Sequence, residues 1–136
     1  IFKIVDLDEA WAFLNVAQGE TLSNKLVRAG RAMNAGVYFV TQSSGDVSKE
    51  SLKNNIGLKF AFRSTDTNEI KQTLEFFGLD SEDENNQKRL RDLENGQCLM
   101  QDLYGRVGVV QIHPVFVELL HAFDTRPPIK SEVDLE

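Results

Sequence analysis

Two short apolar runs with one helix-length segment between them constrain this chain most. Phe2–Leu7 reads as a strand and runs directly into Asp8-Glu9-Ala10-Trp11. Val37–Thr41 is β-branched and aromatic, reads as a second buried strand, and ends in Thr41-Gln42-Ser43-Ser44. Between them Thr21–Asn34 has an amphipathic helical pattern, with Leu22, Leu26, Ala29 and Met33 as the apolar stripe. Asn24, Arg28 and Arg31 fall on the opposite face, and Asn34-Ala35-Gly36 supplies residues that tolerate a left-handed cap. A strand–helix–strand unit calls for parallel strands and a right-handed crossover. Parallel neighbours present their carboxyl ends at one edge, so Asp8, Glu9 and Gln42 are expected there together. Asp6 interrupts the first run, so one face of that strand is open or Asp6 has a partner.

The remaining segments fit around this unit. Glu9–Phe13 begins a short helix or turn, and Asn15–Glu20, with Gly19, reads as a loop. Ser48–Asn54 reads as a short helix. Gly57–Arg63 alternates, with Leu58, Phe60 and Phe62 on one face and Lys59, Ala61 and Arg63 on the other, as in a half-exposed strand. Asp66–Phe77 is a helix burying Ile70, Leu74 and Phe77, and Gly78 ends it. Leu79–Asn86 is an acidic, amide-rich loop without the alternating ligands or glycine of a calcium loop. Gln87–Leu93 holds one or two helical turns. Gly96–Leu103 and Arg106–Ile112 form a hairpin about Tyr104-Gly105. Pro114 opens a last helix, Val115–Phe123, and the polar stretch from Thr125 to Glu136 is a tail or linker.

At 136 residues the expectation is one domain, here residues 1–124, with 125–136 as the tail. A net charge of −6 argues against a protein that coats nucleic acid through general basicity. Cys98 stands alone, so an internal disulfide is excluded, and a reducing cytoplasm fits. His113 and His121 lack nearby co-ligands for zinc. The chain opens on Ile and enters a strand at once, which suggests a fragment whose N-terminal portion lies elsewhere.

An apolar strand ending in two adjacent carboxylates fits phosphoryl transfer. The first acid can hold a metal ion through water, and the second can orient the attacking water. A plainer reading competes: Asp8 and Glu9 favour the N-terminus of the following helix through its dipole. For Arg28 and Arg31 the more usual reading is a solvated surface, and for Cys98 a small buried residue in a strand.

Taken together, Asp8-Glu9-Ala10-Trp11, Gly30-Arg31-Ala32-Met33-Asn34-Ala35-Gly36 and the strand ending in Thr41-Gln42 form an order that resembles a known family. It is that of the TraC-like ATPases of conjugative type IV secretion systems. These belong with the hexameric RecA-like motors of the FtsK and HerA group. The stretch Gly96-Gln97-Cys98-Leu99-Met100-Gln101-Asp102-Leu103-Tyr104-Gly105-Arg106-Val107-Gly108 and Ala122-Phe123-Asp124-Thr125 are similar to its C-terminal region. Members carried by Gram-positive conjugative transposons are the most similar in kind.

The resemblance implies an α/β fold: the C-terminal part of a RecA-like P-loop ATPase domain, with a mainly parallel sheet, flanking helices and a C-terminal β-hairpin. It implies ATP and Mg²⁺ as cofactors, with Asp8 on the metal through water, Glu9 as the catalytic carboxylate and Gln42 as the sensor of the γ-phosphate and attacking water. Arg31 matches an arginine acting on the neighbouring subunit's nucleotide, and its eleven-residue step to Gln42 agrees with related coupling ATPases. Arg28 has no clear match, and Trp11 is expected to pack. Implied partners are further copies in a hexameric ring, other conjugation and secretion proteins, and, as a candidate, DNA. The implied location is the cytoplasmic face of the cell membrane.

Two departures qualify the match. No Gly-x-x-x-x-Gly-Lys-Ser/Thr phosphate loop occurs in this sequence, so the chain alone is expected not to turn over ATP. Asp6 also leaves the metal-side acid open between Asp6 and Asp8, with Asp8 preferred for its adjacency to Glu9. A DNA-translocating relative, a coupling protein or HerA-like motor, stays open as an alternative, as does a non-catalytic RecA-like scaffold.

Overall fold

The computed structural model describes residues 1–30, 32–47 and 53–124. Arg31, most of the helix expected at Ser48–Asn54 and the 125–136 tail lie outside them.

β1 (Lys3–Leu7) leads through α1 (Ala10–Leu14) and α2 (Ala17–Ala29) to β2 (Ala35–Phe39). β1 and β2 are parallel, in register from Lys3 opposite Ala35 to Leu7 opposite Phe39. A 3₁₀ turn at Ser44–Val47 follows, then β3 (Lys59–Ala61), α3 (Thr67–Phe76), α4 (Glu84–Arg91), β4 (Gln97–Gln101), β5 (Val107–Gln111) and α5 (Val117–Ala122). β3, β4 and β5 form a second, antiparallel sheet, in that order. The chain is therefore mixed α/β, and among the described residues parallel pairing is confined to β1 and β2. Among the described residues each of these two strands pairs with one neighbour, and Ile4 and Tyr38 are more than half exposed, so the strands are less buried than expected.

The expected loop at Asn15–Glu20 is largely helix, since α2 starts at Ala17. Gly19 serves close packing there. A Cβ on it would come within 2.0 Å of the Phe13 carbonyl oxygen, so only glycine lets α2 press against α1. The buried stripe of α2 runs through Gly19 and Ser23, whereas Leu22 and Met33 of the expected stripe are exposed. α2 also stops at Ala29, five residues early. Gly30 fits under the Ala35 carbonyl, where a Cβ would sit 2.7 Å from its oxygen, and Ala35 N–H bonds to the Gly30 carbonyl. Asn34 takes the left-handed conformation just before β2 (φ 53°).

β3 is half exposed, as expected, and its large apolar side is the outer one. Leu58, Phe60 and Phe62 are exposed, while the Lys59 and Ala61 side turns toward α3. Lys59 reaches the C-terminal end of that helix. Its Nζ donates to the Phe76 carbonyl at 2.9 Å and lies 4.7 Å from the Phe76 ring centre. Burial, with help from the Lys53 charge, lowers the Lys59 pKa.

The core joins Ala10, Leu14, Val47, Ile70, Leu74, Phe76, Phe77, Leu90, Leu93 and Leu99. α3 supplies its centre and is well bounded. Asp66 caps the N-terminus by accepting the Glu69 N–H at 2.8 Å. At the C-terminus Gly78 (φ 74°) allows Leu79 N–H to reach the Leu74 carbonyl and Gly78 N–H the Glu75 carbonyl. α4 starts at Glu84, inside the stretch expected to be loop, because Asp83 caps it through the Asn85 N–H. The hairpin forms as expected, with Gly105 at φ 78°. α5 is shorter than expected, and Pro114 precedes it without opening it. No helix among the described residues is long and apolar enough to cross a membrane.

Candidate active site

The parallel register ends both strands at one edge. Beyond β1, Val40 N–H bonds to the Leu7 carbonyl at 3.0 Å and Ala10 N–H bonds to the Val40 carbonyl at 2.9 Å. These two bonds tie the start of α1 to the exit of β2, and they bracket Asp8 and Glu9 opposite the loop that carries Gln42.

Glu9 adopts a left-handed backbone conformation (φ 51°, ψ 48°), which costs a non-glycine residue roughly 1–2 kcal/mol. Its N–H bonds back to Asp8 Oδ1 at 3.0 Å. Glu9 precedes the first turn of α1, yet its side chain makes no cap hydrogen bond. A purely helix-stabilising role would place the carboxylate on the α1 amides. Both oxygens are engaged elsewhere: Gln42 Nε2 donates to Oε1 at 2.9 Å, and Trp11 Nε1 donates to Oε2 at 2.6 Å. The turn conformation thus keeps the Glu9 carboxylate off the α1 amides and sets it between the Trp11 indole of that helix and the Gln42 amide beyond the second strand.

The structure therefore brings Glu9 and Gln42 together. Trp11, expected to pack, is 46% exposed and acts through its indole N–H. The signal in the sequence was its position two residues after the glutamate, where the ring is close enough to return to it. Asp8 is exposed, and its Oδ1 accepts the Glu9 N–H. Asp6 lies inside β1 opposite Tyr38, back from the edge. That favours Asp8 over Asp6 as the acid at the site.

Among the described residues no cluster of three or more acids, cysteines or histidines could hold a metal by itself. A Mg²⁺ that keeps most of its waters and shares phosphate oxygens needs only one or two carboxylates, and Asp8 fits that requirement. Arg31 lies outside the described residues. Arg28 is exposed and, with Thr21, Asn24, Lys25 and Ala29, lines an open depression of about 410 Å³ on α2 that includes none of the clustered side chains.

The loop carrying Gln42 is itself held. Thr41 Oγ1 donates to Asp46 Oδ2 at 2.6 Å, and Val47 is buried in the core. From α3, Glu69 accepts from Ser43 Oγ at 2.8 Å, Ser44 N–H at 2.7 Å and Ser44 Oγ at 3.0 Å. Sequence reading gave Glu69 no role. Two adjacent serines directly after Gln42 were the available sign.

Known proteins include relatives of this chain. A protein of Bacillus subtilis strain 168, uncharacterized protein YddE, is 34% identical over 119 residues, covering 88% of this chain. The chain spans 14% of that relative's length. The family model for the AAA-like domain matches residues 1–123, nearly the whole chain. Acids at the carboxyl end of a parallel strand pair, faced by a polar residue from the loop after the second strand, suit a relative of P-loop ATPases. This chain is a member of the AAA-like domain family.

Proposed function

We propose that this chain is the C-terminal part of a conjugative-transfer ATPase domain, whose phosphate loop is supplied upstream in a longer protein. The observation that carries this reading is the contact between Gln42 and Glu9 at the carboxyl edge of β1 and β2. Two donors on one carboxylate fix its plane, which a group that must orient a water molecule requires. Asp8 would hold Mg²⁺ through water, and the metal–nucleotide complex, when bound, supplies charge neutralisation at the phosphates. Glu9 orients the attacking water and takes its proton. Gln42 keeps Glu9 aligned and senses the γ-phosphate. Arg31 acts across a subunit boundary in a hexameric ring, where such an arginine contributes roughly 10³–10⁵ in rate. The ring works at the cytoplasmic face of the membrane with other conjugation proteins, energising substrate transfer.

The test compares ATP hydrolysis by the longer protein, by its Glu9→Gln variant and by the 136-residue chain. Turnover is expected in the longer protein alone. Glu9→Gln should lower it by roughly 10²–10⁴-fold with ATP binding retained. An assembled ring without activity, or one indifferent to Glu9→Gln, would overturn the proposal.

A further inference from the structure

Gln42 reaches Glu9 from a loop, and a loop side chain is only as well aimed as its backbone is fixed. Most of that fixation from outside the loop comes from one residue of α3. Glu69 is the third residue of the helix, and Asp66 is its N-cap. In the usual reciprocal cap, an acid at this position turns back to the N-cap amide. Asp66 does its half, accepting the Glu69 N–H. Glu69 does not return the bond. Its Oε2 accepts from Ser43 Oγ, and its Oε1 accepts from both the N–H and the hydroxyl of Ser44. Thr73, one turn further along α3 and buried, donates to Ser44 Oγ at 3.2 Å. Bonds to an ionised carboxylate are about twice as strong as neutral ones. Three of them meet on the two residues that directly follow Gln42, in a partly buried setting. The helix forgoes a local bond so that its carboxylate can hold a segment about 25 residues away in sequence.

We propose that Glu69 is a positioning residue for the Glu9–Gln42 pair, acting through Ser43 and Ser44. The proposal rests on the ATPase reading for its consequence in turnover, but not for its geometry. It ties the start of α3 mechanically to the aim of the Glu9 carboxylate. A shift of α3 would move the Gln42 amide through Ser43 and Ser44.

The geometric arm uses the 136-residue chain. Trp11 is the single tryptophan, so its indole N–H gives one resolved proton signal reporting on Glu9. Glu69→Ala should shift that signal and the Gln42 side-chain amide pair, while the methyl signals of buried Leu74 and Leu99 stay in place. Ser43→Ala/Ser44→Ala, which leaves α3 intact, should shift the same two signals. Unmoved indole and amide signals in both variants would overturn the proposal.

The kinetic arm uses the longer protein. Glu69→Ala should lower kcat by roughly 10–100-fold, with KM for ATP within about threefold. Glu69→Gln, which keeps one oxygen as an acceptor for Ser44, should restore part of the loss. An unchanged kcat would overturn the proposal. If the wild-type protein shows no turnover while the signals respond as expected, the ATPase reading fails and the positioning role stands.

Discussion

Gln42 Nε2 lies 2.9 Å from Glu9 Oε1, across 33 residues of sequence and between the exits of two parallel strands. Neither residue makes this contact by virtue of its own element. Glu9 is turned outward by a left-handed backbone, and Gln42 is presented by a loop pinned from a helix on the far side of the 3₁₀ turn. The pair is a product of tertiary arrangement.

Trp11 holds the other oxygen of Glu9, and its ring is half exposed. Trp11→Phe keeps the ring and removes the donor. Stability should change by less than about 1 kcal/mol, as for other exposed positions. Turnover in the longer protein should fall by roughly tenfold, because the carboxylate keeps one tether where it had two. Denaturant titration beside a rate measurement separates these effects. A large stability loss with a matching loss of activity would return Trp11 to a packing role.

Gly19→Ala tests the contact between α1 and α2. The added methyl would lie 2.0 Å from a backbone oxygen, which no rotamer change can relieve. The helices must separate, and a destabilisation of about 1–3 kcal/mol follows, as for overpacked cores. Gly78→Ala is the informative comparison. Nothing lies within 4 Å of its Cβ position, so only the backbone cost at φ 74°, about 1–2 kcal/mol, applies there. Melting curves of both variants should show losses, with α1 and α2 signals disturbed only in the first.

Cys98 on β4 is fully buried, and burial raises its thiol pKa. It should react with an aromatic disulfide reagent only through opening of the β3–β4–β5 sheet. The labelling rate should therefore be far below that of a free thiol in buffer and should rise steeply through the unfolding transition. Free-thiol rates under native conditions would contradict this placement.

Asp102 closes the hairpin turn. Partial burial pushes its pKa up. The Arg106 N–H, the Arg106 guanidinium and the Tyr104 N–H outweigh that and bring the carboxyl below its usual value. A carboxyl depressed in the folded state binds fewer protons there than in the unfolded chain, so stability rises with pH across the interval between the two values. The contribution is complete above about pH 4, the unfolded carboxylate value, and disappears as pH falls through the lower folded one. Denaturant midpoints between about pH 5 and pH 2 should show a shallower acid slope for Asp102→Asn than for the wild type. Equal slopes would show that the turn bonds do not survive in solution.

Several features were legible in the chain itself. Periodicity located β1, β2, α3 and the hairpin, because each depends on neighbours a few residues away: apolar spacing, the Asp66 cap and glycines at positive φ. The order of strand, helix and strand was enough to expect Asp8, Glu9 and Gln42 at one edge. The α2 stripe, the start of α4 and the facing of β3 were not legible. An alternating or helical pattern states which residues share a face, but not which face meets the core. In β3 the Lys59 and Ala61 side faces inward, where Lys59 reaches the Phe76 carbonyl, and the bulkier Leu58, Phe60 and Phe62 side faces out. Gly19 read as a loop residue because sequence shows its lack of a side chain and hides the carbonyl that demands it. Most of all, the sequence offered the acids and the glutamine but not their aim. That was decided by the left-handed turn at Glu9, the Trp11 indole and the Glu69 carboxylate, whose bonds reach across turns and between elements. Local spacing determines which groups are available, and tertiary packing determines where they point.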